Sequence, residues 1–345
     1  MRTLLAVSIT GLLLALLVPA AVQAAAGAVT VQGKVGNVAP TVDAVVLLED
    51  GSGNEVTAMT PLAFYRVRVT ASDVNTLGDI REVEFHVYHG SDGSQWDADE
   101  LAIFRWSSTA GWSLENDGAE TTWQLDEEGC SVPGDFGVTT GDWVLKFCPG
   151  KVARASILRR WHCSATVRDE EGDDYAWWSG GASMAAYSEL GFDTGTVVFG
   201  DAAAGIELGG TGYITEPPSR RLTVEVTSNS WYALGVKSDA TWSDGGVNTI
   251  ALSGTSEVPT EPAQFSLSID DEEAFLGPDG KPRWPEAITA ETEPIFGYWL
   301  VFRCMTDAGA PEASNDSQFY MAMSLSQTGI REVVYAGTIT FTVTN

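Results

Sequence analysis

The sequence predicts an all-β protein with two consecutive antiparallel β-sandwich domains after a signal peptide. Short apolar runs of alternating pattern recur along the chain, Gly/Asp/Ser-rich loops separate them, and helical periodicity is almost absent. Ala182–Leu190 is the only short helix candidate. Because 345 residues are too many for one ordinary sandwich, we predict two domains, residues 41–190 and 191–345.

The first residues predict a secretory signal peptide. Met1-Arg2 precedes an apolar run from Thr3 to Val22, and Val22-Gln23-Ala24 places small residues where a signal peptidase cleaves. We assign residues 1–24 to this peptide, although the run is also long enough for a retained transmembrane anchor. No lipid-accepting cysteine, second apolar span or hydrophobic tail occurs. We therefore expect a secreted protein, extracellular or on the cell surface, with no membrane span after cleavage.

The excess of acidic residues disfavours nucleic acids as partners. The chain has 19 lysines and arginines against 47 aspartates and glutamates, a net charge of −28. Such a surface repels phosphate backbones, so we expect no nucleic-acid partner. Clustered carboxylates instead attract cations, and Ca²⁺ is the cation that they bind outside the cell.

The clearest strand pattern lies between Tyr65 and Tyr88. Two alternating series flank an acidic loop, with Tyr65, Val67, Val69 and Ala71 in the first and Val83, Phe85 and Val87 in the second. This period of two is typical of half-buried strands. If the strands are neighbours in one sheet, Arg66 and Arg68 face Glu82 and Glu84. If they lie in opposite sheets, these charges face solvent.

Two acidic turns are candidate calcium ligands. Asp73, Asn75 and Asp79 follow the first of these strands, and Asp169, Glu171 and Asp173 follow the run Trp161–Val167. Carboxylate and amide oxygens are the ligands that Ca²⁺ takes, so the two turns predict a site where they converge. The alternative is a pair of solvated turns in which Asp and Asn cap their own backbone. We expect no other cofactor.

The four cysteines allow three pairings. Export favours disulfides, and Cys130, in a Gly/Pro loop, is placed to close a hairpin with Cys148, which shares the Lys146 face of its strand. Cys163 and Cys304 lie on apolar faces, where they form either a second bridge or two buried thiols. No Cys/His spacing for zinc, haem or thioredoxin chemistry occurs.

Aromatic and titratable residues give no catalytic pattern. Trp177 and Trp178 cannot both point inward on a strand, so they are candidates for stacking on glycans, unless the rings fill wide cores. His86, His89 and His162 are predicted surface residues, and no G-x-S-x-G elbow occurs. A glycosidase needs two carboxylates, which spacing along a sequence does not identify. We expect no enzymatic activity.

Residues 25–40 are a predicted extended arm or linker. Ala28, Val29, Val31 and Val35 are the candidate contacts by which the arm adds a strand to a neighbour's open sheet edge. Repeated head to tail, that contact builds a filament or lattice from copies of the chain. The alternatives are a disordered tail or a first strand of the chain's own domain. Asn315 begins a sequon, a glycosylation site in a host that glycosylates.

Three stretches carry a resemblance to a known class. Asn37–Pro40 before a first strand, Thr70–Val83 around the acidic loop, and Tyr335–Phe341 in the last strand resemble Ig-like (cadherin-like) modules of secreted prokaryotic surface-layer, sheath, adhesin or filament proteins. The resemblance implies Ig-like or jelly-roll-like sandwiches, and the acidic turns resemble the inter-strand calcium sites of such domains. We expect a structural subunit of the cell surface that associates with itself or with other surface proteins. The alternatives are a carbohydrate-binding adhesin and, third, a glycoside-active enzyme.

Overall fold

A computed structural model describes residues 36–90, 100–115, 123–199, 221–270, 286–295 and 315–344. These residues are almost entirely β-strands, joined by loops and by short 3-10 turns at Leu77–Asp79 and Glu127–Gly129. The predicted all-β fold is therefore confirmed. The described part from Asn37 onward belongs to one compact unit. Within the described residues, no helix has the length and apolar character needed to cross a membrane.

The first half of the described chain forms two facing sheets. One has four strands in the order β1-β3-β8-β7, and the other has seven, in the order β2-β11-β9-β4-β5-β6 with β10 beside β9. All pairs are antiparallel except β2 with β11. The strands are β1 Thr41–Glu49, β2 Ala58–Met59, β3 Tyr65–Ser72, β4 Glu82–His89, β5 Glu100–Ser107, β6 Gly111–Leu114, β7 Gln124–Leu125, β8 Thr140–Cys148, β9 Ser156–Arg168, β10 Asp173–Trp177 and β11 Ala182–Met184.

The alternating pattern of β3 and β4 builds this sandwich, and the strands lie in opposite sheets. β3 pairs with β1 and β8, whereas β4 pairs with β5 and β9. Arg66 therefore pairs with Asp50 at 2.6 Å. Glu82 instead pairs with Arg168 at 3.1 Å. The cross-strand pairs considered for neighbouring strands do not form, because β3 and β4 supply the two facing layers.

Large aromatic side chains fill the first core. Trp143 on β8 and Trp161 on β9 are completely buried between the sheets. Trp123 stacks on Phe147, with ring centroids 6.3 Å apart and an interplanar angle of 12°. Truncating a buried ring of this size typically costs about 3–5 kcal/mol of stability.

The second half forms another two-layer structure with its own core. A seven-stranded sheet runs in the order β12-β13-β20-β17-β16-β15 with β18 beside β17, and a three-stranded sheet runs β19-β14-β21. Phe265 and Phe319 are fully buried in this core. The strands are β12 Ser188–Phe192, β13 Arg221–Ser228, β14 Ala233–Ser238, β15 Thr241–Ser243, β16 Thr249–Leu252, β17 Gln264–Asp270, β18 Glu286–Ala287, β19 Glu293–Pro294, β20 Asn315–Leu325 and β21 Ile339–Thr344.

The helix prediction for Ala182–Leu190 is wrong. The segment is split between β11, which pairs with β9, and β12, which pairs with β13. Pairing with these longer strands overrides a weak local helical preference. β12 also crosses the position between residues 190 and 191 where the sequence places the domain boundary.

Asn229 holds the two halves together. Its Nδ2 donates to the carbonyl oxygens of Ala153 at 2.8 Å and Ala185 at 2.9 Å, and its Oδ1 accepts from Tyr187 N at 2.7 Å. Its own carbonyl accepts from Ala155 N at 3.0 Å. The side chain is completely buried, and each of its polar atoms has a partner.

Candidate functional site

Asp73 lies directly after β3 and is 1 % exposed. Its Oδ1 accepts from the backbone N–H of Asn75 at 2.7 Å and of Thr76 at 3.4 Å, which caps the loop. Its Oδ2 is also buried but has no hydrogen-bond partner. Capping therefore accounts for one oxygen of this carboxylate and leaves the other unexplained, since a buried polar atom without a partner is costly.

Asp169 makes a second turn of the same construction after β9. It is 7 % exposed, and its Oδ1 accepts from the backbone N–H of Glu171 at 2.8 Å and of Gly172 at 2.9 Å. Its Oδ2 accepts from the Nδ2 of Asn37 at 2.7 Å. The turn thus reaches a residue that lies 132 positions earlier in the chain.

Asn37 and Val38 connect the two turns. The side chain of Asn37 binds Asp169, and the backbone N–H of Val38 donates to the Oδ1 of Asn75 at 2.9 Å. The Oδ1 of Asn37 is buried and has no partner. The two acidic turns are therefore linked through the segment that precedes the first strand.

The resulting cluster offers hard oxygen ligands. Asn37, Asp73, Asn75 and Asp169 supply two carboxylates and two amide groups, and two of their buried oxygens have no donor. This chemistry fits Ca²⁺, which takes carboxylate and amide oxygens. Among the described residues no three His, Cys, Asp or Glu side chains are grouped closely enough to hold a metal by themselves. Amide, backbone or water oxygens would have to complete the coordination.

Three of the predicted ligands do not join this cluster. Glu171 and Asp173 are exposed on the second turn, and the described part of the chain gives their carboxylates no hydrogen bond to the cluster. Asp79 lies in the 3-10 turn, where its backbone N–H donates to Thr76 O at 3.1 Å. Asp174 has a structural role instead, since its carboxylate accepts from Val42 N at 2.8 Å.

The tryptophan pair divides between surface and core. Trp177 on β10 is 56 % exposed, whereas Trp178 is 5 % exposed and packs in the first core. Trp178 is therefore not a glycan-stacking residue. The neighbour that shares the outer face with Trp177 is Tyr175, two residues earlier, with ring centroids 6.0 Å apart. Alternation along a strand explains both placements.

The cysteines described by the structure are free thiols. The predicted Cys130–Cys148 bridge is not formed, because each sulfur lies against a different backbone group. Cys130 Sγ accepts from Lys146 N at 3.1 Å, and Cys148 Sγ donates to Pro149 O at 3.6 Å. Burial raises the pKa of each thiol to about 11. Cys163 is completely buried, and Cys304 lies outside the described residues.

Two histidines predicted at the surface are buried. His86 is 8 % exposed, with Nε2 2.8 Å from Glu84 Oε1, and His89 packs edge-on against Trp161. The hydrogen bond from His86, with help from Arg105, holds the pKa of Glu84 below its usual range although burial opposes this. This polar cluster lies on the outer face of the β4–β5 pair, and β9 places Ser164 directly opposite His86.

The remaining predicted sites are only partly described. Ala28, Val29, Val31 and Val35 of the arm lie outside the described residues, as does the predicted signal peptide. Asn315 is the first residue of β20, where it pairs with Val226.

Comparisons with known proteins give no family for this chain. No protein-family model matches it, and no characterised protein matches its sequence. A chain from a chaperone-tip adhesin complex of CFA/I fimbriae biogenesis is 8 % identical, with 87 % of this chain and 83 % of that chain covered and a TM-score of 0.22. Dimeric latent PorU from Porphyromonas gingivalis is also 8 % identical, covering 88 % and 34 % with a TM-score of 0.12. Both TM-scores are too low to indicate a shared fold.

Proposed function

We propose that the chain is a secreted structural subunit of the cell surface, a filament, sheath or surface-layer component without catalytic activity, whose copies associate by strand addition. The observation that carries this proposal is the open edge of β21. Within the described residues β21 pairs only with β14, so its outer side has no partner strand. An edge of this kind is a template for another strand.

The side chains beside this edge are suited to receive an apolar strand. Ile339 and Val343 are only partly buried against the second core. Phe341 lies between the two layers, with its ring 5.8 Å from that of Phe192 on β12. A strand added beside β21 would complete the burial of this apolar face. Main-chain hydrogen bonds would then give affinity, and alternate side chains would give specificity.

The predicted arm has the sequence of such a donor strand. Val29, Val31 and Val35 alternate with Thr30, Gln32 and Lys34. Only one face of an added strand contacts the acceptor's core, so the valines would face that core and the polar residues would face solvent. The arm of one copy on the β21 edge of the next would give an open, head-to-tail assembly.

Electron microscopy of arm variants tests the strand-addition proposal. We expect the exported protein to form filaments or sheets, and Val29→Lys/Val31→Lys to abolish them because two charges would face the acceptor's core. Thr30→Lys/Gln32→Lys is the matched control and should assemble. Equal assembly of both variants, or a wild-type protein that stays monomeric, would contradict the proposal.

We further propose that Ca²⁺ binds the Asn37, Asp73, Asn75 and Asp169 cluster and fixes the segment Asn37–Pro40 against the first sandwich. When bound, the ion would place positive charge next to two buried carboxylates, and the two unpartnered oxygens would be among its ligands. The four side chains hold the ion, and the backbone N–H groups around them keep the carboxylates oriented.

Isothermal titration with Ca²⁺ tests this part. Asp73→Asn keeps the cap acceptor but removes the charge, so we expect it to abolish the binding heat. Asp244→Asn changes a capped aspartate in the second half of the chain and is the matched control. No heat with the wild-type protein would exclude Ca²⁺ binding, and equal heat with Asp73→Asn would exclude binding at this cluster. Either result leaves the strand-addition proposal standing.

A glycan-binding surface is a second candidate function. Trp177 and Tyr175 present two neighbouring rings on the outer face of β10, and exposed aromatic rings stack on sugars. On a glycan array we expect Trp177→Ala to remove binding, and Trp231→Ala, which alters another half-exposed tryptophan, to retain it. An array without binding by the wild-type protein would exclude this candidate.

A further inference from the structure

One segment is basic, although the chain as a whole is acidic. Residues 143–168 contain six lysines and arginines and no aspartate or glutamate, in a sequence with 19 basic and 47 acidic residues. The segment includes the whole of β9. Four of the six basic residues, Lys151, Arg154, Arg159 and Arg160, fall within ten positions at its N-terminal end.

β9 bulges away from its neighbour at this end. In its pairing with β11, Met184 lies opposite Ser156 and Ala182 lies opposite Trp161, so residues 157–160 of β9 face the single Ser183. Two hydrogen bonds close the bulge on itself, from Trp161 Nε1 to Arg154 O at 2.9 Å and from Ser156 Oγ to Leu158 O at 2.8 Å. We call residues 156–160 the basic bulge.

The basic bulge presents apolar side chains to solvent. Ile157 is 97 % exposed and Leu158 is 54 % exposed. Single exposed apolar residues are common on protein surfaces. Two adjacent ones on a bulge held by its own hydrogen bonds, with arginines directly after them, have the composition of a binding surface.

The arginines of the bulge have no acidic partner among the described residues. Three other basic side chains of the segment are paired, Lys146 with Asp50 and Asp126, Lys151 with Glu189, and Arg168 with Glu82. Arg159 is exposed and Arg160 half-buried, and no described carboxylate lies within ion-pair distance of either. As far as the structure describes the chain, these two guanidinium groups remain for an external acidic group.

The opposite end of the same sandwich carries the complementary charge. We call the exposed acidic residues there, Asp43, Asp135, Asp142, Glu171 and Asp173, the acidic end. Val42 N donates to Asp174, and Asp73 N donates to Thr139 O, so the loops that carry these residues lie together. Asp169, directly after β9, lies nine positions after Arg160, which is about 30 Å at the rise of a β-strand.

We propose that the basic bulge is a docking surface for a second copy of this chain, which contacts it with its acidic end. Attraction between the two ends would offset the repulsion between chains of net charge −28, and Ile157 and Leu158 would be buried at the centre of the contact. Because two different surfaces meet, the contact is heterologous and repeats along an open row. It does not require the arm, so it is independent of strand addition.

Sedimentation velocity of the exported protein tests this contact. We expect association at about 50 mM salt that weakens at about 500 mM, because salt screens charge pairs. Arg159→Glu/Arg160→Glu and Ile157→Ser/Leu158→Ser should each raise the dissociation constant by about tenfold or more. Arg331→Glu and Val247→Ser, at other exposed positions, are the matched controls. Deleting residues 25–35 should leave this association in place.

Mixing two defective proteins shows which surfaces meet. The acidic-end variant Glu171→Lys/Asp173→Lys retains its basic bulge, and Arg159→Glu/Arg160→Glu retains its acidic end. Neither should associate alone, and an equal mixture should form complexes. A wild-type protein that is monomeric in low salt, association unchanged by the bulge variants, or a mixture that stays monomeric would overturn the proposal.

Discussion

Two asparagines join segments of this protein, and they differ in how many of their side-chain polar atoms have hydrogen-bond partners. Asn229, between the two sandwiches, uses both its Nδ2 and its Oδ1 in hydrogen bonds to three backbone groups. Asn37 donates to Asp169, but its Oδ1 has no partner, and neither has Oδ2 of the nearby Asp73.

The difference shows which junction is complete without a ligand. A buried polar atom without a partner costs about 1–3 kcal/mol, so the polypeptide gains by leaving none at a purely structural contact. The contact at Asn229 meets that condition. At the Asn37 contact, Asn37 Oδ1 and Asp73 Oδ2 have no donor. The proposed Ca²⁺ would be a partner for both.

The largest loss of stability is expected at Asn229, where every side-chain polar atom has a partner. Asn229→Ala removes three hydrogen bonds and leaves the carbonyls of Ala153 and Ala185 buried without donors. We expect the free energy of unfolding to fall by about 3 kcal/mol or more, equally with Ca²⁺ and with chelator. Urea denaturation measures this. Asn248→Ala, at a half-buried surface turn, is the control and should cost about 1 kcal/mol. If the loss of stability in Asn229→Ala depended on Ca²⁺, the contact at Asn229 would not be independent of the ion.

Calcium is expected to act only through the incomplete junction. At a Ca²⁺ concentration 100 times the dissociation constant, the free energy of unfolding should rise by about 2.7 kcal/mol. Thermal melting with Ca²⁺ or chelator measures the rise, which Asp73→Asn should lose and Asn229→Ala should keep. Equal rises in all three proteins would place the ion elsewhere.

Without Ca²⁺, the two capped carboxylates should respond to amide substitution with opposite signs. Asp73→Asn removes a buried charge that has no partner for Oδ2, so we expect no loss, or a gain of up to about 1 kcal/mol. Asp169→Asn weakens three hydrogen bonds to a carboxylate and should cost about 1–2 kcal/mol. Denaturation in chelator measures both values. Losses of the same size would show that the two turns are equivalent.

The smallest effect concerns Asp244, a capped aspartate with both oxygens satisfied inside its own turn. Its Oδ1 accepts from Gly246 N at 2.8 Å, and its Oδ2 accepts from Asn248 Nδ2 at 2.5 Å. The Asn248 side chain and these backbone donors lower the pKa of Asp244 from its ordinary 3.8. Its stabilising contribution is therefore present above pH 3.8 and lost as pH falls through the lowered value.

Denaturation series at decreasing pH check this sign. Asp244→Asn should make the free energy of unfolding less dependent on pH below 3.8 and leave the Ca²⁺ response unchanged. An unchanged pH dependence would show that Asp244 titrates alike in the folded and unfolded chain.

Local pattern predicted most of the fold, and long-range contact decided the rest. The alternation in β3 and β4 gave both strands and their buried faces, and the acidic turns were found because Asp and Asn cluster after strands. The sequence marks Asn37 only as part of the Asn37–Pro40 stretch before the first strand. Its contact with Asp169 could not be predicted, because the two residues lie 132 positions apart. The sequence did not show which of Trp177 and Trp178 is exposed, because that depends on which residues of β10 face outward. The Cys130–Cys148 prediction failed because spacing does not show which backbone group each sulfur contacts.

If the chain is exported as proposed, Cys163 sets an order of events for its folding. Its thiol lies at the centre of β9, completely buried, and burial raises its pKa far above the usual value. Once the sandwich has closed, oxidants do not reach a thiolate there. Before closure the same sulfur is accessible together with the other cysteines. β9 pairs with β4, where Cys163 lies opposite Val87, and contacts between residues so far apart in sequence form slowly. Folding therefore competes in time with oxidation, and the chain that buries β9 first avoids a mispaired disulfide.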